Sequence, residues 1–171
     1  MKKSDPAPTA PPKDGDQGFK LDPSLTAVDS KISDAIAYWK TKRGDRLAPM
    51  REDMNPREIK SFLPNFQILE LVDGGPAYRA RLMGTAIVAA MKEDITGRLF
   101  DETTQRPAAR RALNAIRWVI EHKEPLRTFA ERTAIEGQDF LSHESVFLPL
   151  SSDGKKIDLL AVVGVFTPAI K

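Results

Sequence analysis

Two apolar runs, FQILELV at residues 66–72 and AYRARLM at 77–83, flank the tetrapeptide DGGP. This arrangement constrains the fold more than any other feature of the chain. Asp and Gly reach the backbone conformations of a tight turn without strain, so the two runs read as a β-hairpin. Three more strand-like runs close the chain: PLRTFAERTAI (125–135), QDFLSHESVFLPL (138–150) and KIDLLAVVGVF (156–166). Their separators, EG and SSDG, are turn-forming. Strands joined by tight turns pair antiparallel, so an antiparallel sheet is predicted.

Helical patterns precede and divide the strands. RPAARRALNAIRWVIEH (106–122) reads as one helix with Leu113, Ile116, Val119 and Ile120 on its buried face. Leu25, Val28, Ile32, Ala35, Ile36 and Trp39 form a stripe at helical spacing, which predicts a helix over 23–43. Asp22 is placed to cap it, Pro23 suits its first position, and Gly44 ends it. A shorter helix is predicted in NPREIKSFLP (55–64), capped by Asn55 and stopped by Pro64. The helices between the strand groups must cross one face of the sheet. The helix at 23–43 is free to cover the other.

The chain has 171 residues, 41% hydrophobic and 29% charged, which suits one soluble domain with a sizeable core. Its net charge of +2 gives little pull toward nucleic acid or anionic lipid. There is no cysteine, so disulfides, thiolate catalysis and Cys-ligated metals are excluded, and a reducing cytoplasm is compatible. The longest apolar run, LLAVVGVF at 159–166, is too short to span a bilayer. Residues 1–20 are rich in Pro, Asp and Lys; a flexible tail with no secretory signal is expected there. The expected organisation is that tail, an N-terminal helical segment over 21–64, and a domain over 65–168.

RLMGTAIVAAMKEDITGRLFDE (81–102) leaves a strand, makes short amphipathic turns and carries Gly84 and Gly97. It matches neither a phosphate loop nor a metal site. The order of elements, with the segments AYWKTKRGDRLAPMREDMNPREIKSFLPNFQILELV, YRARLMGTAI, DITGRLFDE and FLPLSSDGKKIDLL, resembles a bacterial PAS-like domain family over about residues 35–166. The resemblance implies an α+β fold: a five-stranded antiparallel sheet, helices on one face, an N-terminal flanking helix, and the strand at 66–72 beside that at 157–166. It also implies that 81–102 is a lid over an interior pocket, with Gly84 and Gly97 at its turns.

Under that lid Met83, Ile87, Met91 and Leu99 are the candidates to line a pocket, with His143 as a further wall; core packing is the plain alternative for the apolar four. A small apolar ligand is the expected occupant. His122 and His143 lack a second nearby ligand, so neither haem nor metal is expected. Without cysteine, the flavin and chromophore attachments of photosensing relatives are unavailable, and no cofactor is expected. Ser142, His143 and Glu144 alternate faces on a strand and form no triad. No catalytic residues are assigned and no enzyme is expected, although proton transfer by His143 is a third, minor reading. Arg106, Arg110, Arg111 and Arg117 lack an aromatic platform, which favours a solvated face over nucleic-acid binding. Arg79 and Arg81 share a strand face and call for carboxylates, with Glu131, Glu136 and Asp139 as candidates.

The expected function is a stand-alone cytoplasmic sensory module in signalling. No output enzyme follows residue 166, so its signal is expected to leave by contact with a partner protein. A ligand-free interaction adaptor is the alternative. Leu25, Val28 and Ile32 are expected to project past the sheet and join a homodimer.

Overall fold

The computed structural model describes residues 18–170. In chain order it contains β1 (Phe19–Asp22), α1 (Ser30–Arg43), β2 (Phe66–Leu71), β3 (Tyr78–Met83), α2 (Thr85–Met91), β4 (Leu99–Phe100), α3 (Pro107–His122), β5 (Leu126–Ala130), β6 (Leu141–Leu150) and β7 (Leu159–Pro168). All strands pair antiparallel in one sheet of order β1-β5-β6-β7-β2-β3-β4. The predicted hairpin forms: the Val72 N–H reaches Ala77 O at 2.8 Å, and Asp73, Gly74 and Gly75 all take positive φ. The first predicted strand lies beside the last, with Phe66 in register with Val163 and Leu69 with Leu160.

Among the described residues the sheet has seven strands where five were expected. One addition is β4, two residues long, which pairs with the start of β3 and is too short to show alternation. The other is β1, FKLD, which pairs with β5 through Phe19–Ala130 to Asp22–Arg127. Its residues fall partly in the expected tail; the rest of that tail, up to residue 17, lies outside the described residues.

The helix expected over 23–43 begins at Ser30. Asp22 spends its carboxylate on the N–H groups of Ser24 (3.0 Å) and Thr26 (2.9 Å), which closes a turn, and Leu25 takes φ +58. A residue in the left-handed region does not continue a right-handed helix. Asp29 caps α1 instead, accepting the Lys31 N–H at 2.8 Å. The helix predicted over 55–64 is a chain of turns ending in a 3₁₀ turn at Leu63–Asn65. Asn55 Oδ1 accepts the Arg57 N–H at 3.0 Å, yet no regular ladder follows. The run at 125–135 is strand only to Ala130; beyond it Thr133 Oγ1 donates to Gln138 O at 2.8 Å and holds a loop.

Alternation along β6 decides the two layers. Glu144, Val146 and Leu148 face α1, whose Trp39 is fully buried and donates Nε1–H to Pro149 O at 2.7 Å. His143, Ser145 and Phe147 face the other way, toward α2 and α3. Leu113, Ile116 and Val119 of α3 are buried there as predicted, and Ile120 is partly buried.

Candidate functional site

Between the sheet and the two helices lies a cavity of about 640 Å³. Strand positions two apart share a face, so Gln67 and Leu69 of β2, and Val162 and Phe166 of β7, supply its floor together with His143, Ser145 and Phe147. Ile87 and Met91, one helical turn apart on α2, form the lid, and Ala109 and Ala112 of α3 complete the wall. Tyr78 and Phe100 close one end, their rings stacked with centroids 5.3 Å apart.

Two glycines set the lid, for different reasons. Gly97 takes φ +88, a conformation that favours glycine. Gly84 has an ordinary φ of −67, but a Cβ there would lie 2.3 Å from Pro64 O. Here the residue that precedes α2 closely approaches the 3₁₀ turn. On the floor, a Cβ on Gly164 would lie 3.1 Å from His143 Nε2 and 3.4 Å from Ile87 Cδ1, so the missing side chain makes room for the imidazole and the lid.

Of the predicted pocket residues, Ile87, Met91 and His143 line the cavity. Met83 does not: its sulfur accepts the Ile95 N–H at 3.3 Å and it packs against the core. Leu99 stands outside the wall and is 47% exposed. The sequence reading missed Gln67 and Tyr78. Alternation in FQILELV put Gln67 on one face with Leu69, but nothing local said which face is hollow.

His143 stacks on Phe166, its cross-strand neighbour, with centroids 4.5 Å apart. Its open side faces the cavity and protein surrounds the rest. Burial, with a smaller push from the Arg111 charge, lowers its pKa to about 4, so the ring is neutral near pH 7. Burial pushes the Tyr78 phenol well above its ordinary value. The charged residues stand at the rim. Arg106 is paired with Glu93 and lies over the Phe100 ring, and Arg111 donates to Arg132 O at 3.0 Å and lies over Phe19. Arg110 and Arg117 are engaged by Thr104, Gln105, Asn114 and Glu102. Arg81 pairs with Glu70, and Arg79 donates to Gly97 O, so neither uses the three carboxylates expected. His122 Nδ1 lies 2.9 Å from Trp118 O, away from the cavity.

Among the described residues no group of three or more His, Asp or Glu side chains is placed to hold a metal, and no helix is long and apolar enough to cross a membrane. Of the three residues expected at a dimer contact, Ile32 is fully buried on the inner face of α1, Leu25 packs against the core, and Val28 is 84% exposed. A family profile for the PAS domain matches residues 28–165. No curated protein and no solved structure matches the chain.

Proposed function

The chain belongs to the PAS domain family, and on that premise we propose that it is a cytoplasmic sensory module whose cavity holds a small, mainly apolar ligand. The observation that carries this reading is the cavity itself: about 640 Å³, with Tyr78 and His143 turned into it among apolar walls. The space opens at a rim that carries Lys92, Glu93 and Arg106, and its inner part runs over the apolar side chains of Leu69, Phe147 and Val162. Occupancy would be felt by α2 and α3 on one face and relayed through β6 to α1 on the other. The partner that reads this change is another protein or a second copy of the chain. For the second copy, Val28 is the contact we propose.

Mass spectrometry of small molecules released on denaturing the purified protein tests the ligand. A compound recovered from the native chain and lost from Ile87→Trp, which sets a larger ring into the cavity from the lid, supports the reading. Equal recovery from that variant, or recovery of nothing, overturns it and leaves an interaction adaptor.

A further inference from the structure

The floor of the cavity carries no formal charge. Its polar side chains are Gln67, Thr128, Ser145, Tyr78 and His143, and Thr128 and Ser145 bond one another. Tyr78 is only 4% exposed, and among the described residues its hydroxyl has no hydrogen-bond partner. Yet no fully enclosed side-chain oxygen or nitrogen lacks a partner among the described residues. The Tyr78 hydroxyl therefore keeps an open side, and the space available to it is the cavity. The ring nitrogens of His143 likewise make no hydrogen bond among the described residues. A neutral imidazole presents one donor and one acceptor, and a phenol presents a donor and an acceptor.

These two groups stand at opposite ends. Tyr78 is in register with Leu71, whose N–H bonds Asp158 O just before β7 begins. His143 is in register with Phe166, near the end of β7. Leu69, Phe147, Val162 and Ile87 lie between them. A charged group on this floor would lose its hydration, a penalty that far exceeds that of a hydrogen-bonded hydroxyl, and the cations nearest the two anchors stand at the rim and are engaged there, Arg106 by Glu93 and Arg111 by Arg132 O.

Resting on the cavity reading above, we propose that the ligand is an elongated, uncharged molecule with an apolar body and hydroxyl or carbonyl ends. The Tyr78 hydroxyl holds one end and the His143 imidazole the other.

Competition against the neutral dye Nile red, bound to the full chain, tests this with three probes: octane, its terminal diol and the octanoate anion. The diol should bind best, and Tyr78→Phe and His143→Phe should each weaken it about threefold to tenfold, the worth of one hydrogen bond. Octane should be indifferent to both changes. Phenylalanine keeps the ring stacking at each position. Should either variant unfold, the wild-type ratio of diol to octane decides alone. Nile red binding with no preference for the diol over octane, or octanoate binding as well as the diol, overturns the two anchors and leaves the cavity reading standing. Failure of the dye and all three probes to bind removes both.

Discussion

Arg127 sets its Nε and Nη2 on one oxygen of Glu144, Oε2, at 2.9 and 2.6 Å. The two are diagonal neighbours on adjacent strands, β5 and β6, on the face opposite the cavity. Nη1 of Arg127 reaches Asp22 Oδ2 at 2.9 Å and so ties in β1. The Glu144 carboxylate accepts the N–H groups of Val28 (3.0 Å) and Asp29 (2.8 Å), where α1 begins. Burial by itself would raise the Asp22 carboxyl, but hydrogen bonds from Ser24, Thr26 and Arg127 outweigh it and hold the group below the ordinary carboxylate range. One buried guanidinium thus joins three strands and, through Glu144, the two residues that lead into α1.

Removing one member of such a network strands a buried charge. Arg127→Ala is expected to lower the unfolding free energy by about 3–5 kcal/mol in urea titration. The double variant Arg127→Met with Glu144→Leu should recover part of that loss, since neither charge is then left alone. A double variant no more stable than Arg127→Ala would show that the network adds more than paired charges.

The two lid glycines should respond differently. Gly97→Ala meets open space, so only the φ of +88 opposes it, a cost of about 1–2 kcal/mol. Gly84→Ala drives a Cβ onto Pro64 O and the neighbouring Pro64 and Leu63 backbone, which a flexible side chain cannot relieve. Thermal melts should rank Gly84→Ala well below Gly97→Ala, and the reverse order would refute the close-approach role.

The pH dependence of stability should carry a His143 signature. Its folded pKa of about 4 lies below the ordinary 6.5, so the unfolded chain binds the proton first as the solution is acidified. The stability it contributes is complete above pH 6.5, declines through the interval, and is lost by about pH 4. The slope is at most about 1.4 kcal/mol per pH unit. Urea midpoints for His143→Phe should be flatter than wild type across that window and parallel to it above. Identical profiles would mean that the ring gains a proton in the folded protein as readily as in the unfolded chain.

Deleting residues 1–32 removes β1, Asp22 and the fully buried Ile32, so a loss of cooperative folding is expected, read by circular dichroism melts. The association state is better probed by Val28→Asp, which changes an exposed side chain and leaves the core untouched. Light scattering should report a monomer for that variant against a wild-type dimer. Equal masses would dispose of Val28 as the contact.

Local chemistry alone determined much of this fold. DGGP makes a hairpin because its residues reach turn conformations that others resist, and Leu113, Ile116 and Val119 make a buried helix face because their spacing matches the helical turn. The alternation of β6 follows from strand geometry, and Ile87 and Met91 come together because they are four apart on one short helix. Other features depended on residues far away in the chain. FKLD is a strand because β5 supplies its hydrogen bonds and Arg127 holds Asp22, not because of its own composition. The stripe from Leu25 to Trp39 keeps helical spacing throughout, but Asp22 forms a turn and Glu144, more than a hundred residues on, takes the N–H groups where the helix starts. Tyr78 reads as an ordinary strand residue beside a turn, and becomes a cavity group only because Phe100 and α3 close over it. Spacing within a segment is set by backbone geometry and is legible in sequence. Which buried polar group finds a partner, and which is left facing a hollow, is set by side chains that meet only when the sheet assembles.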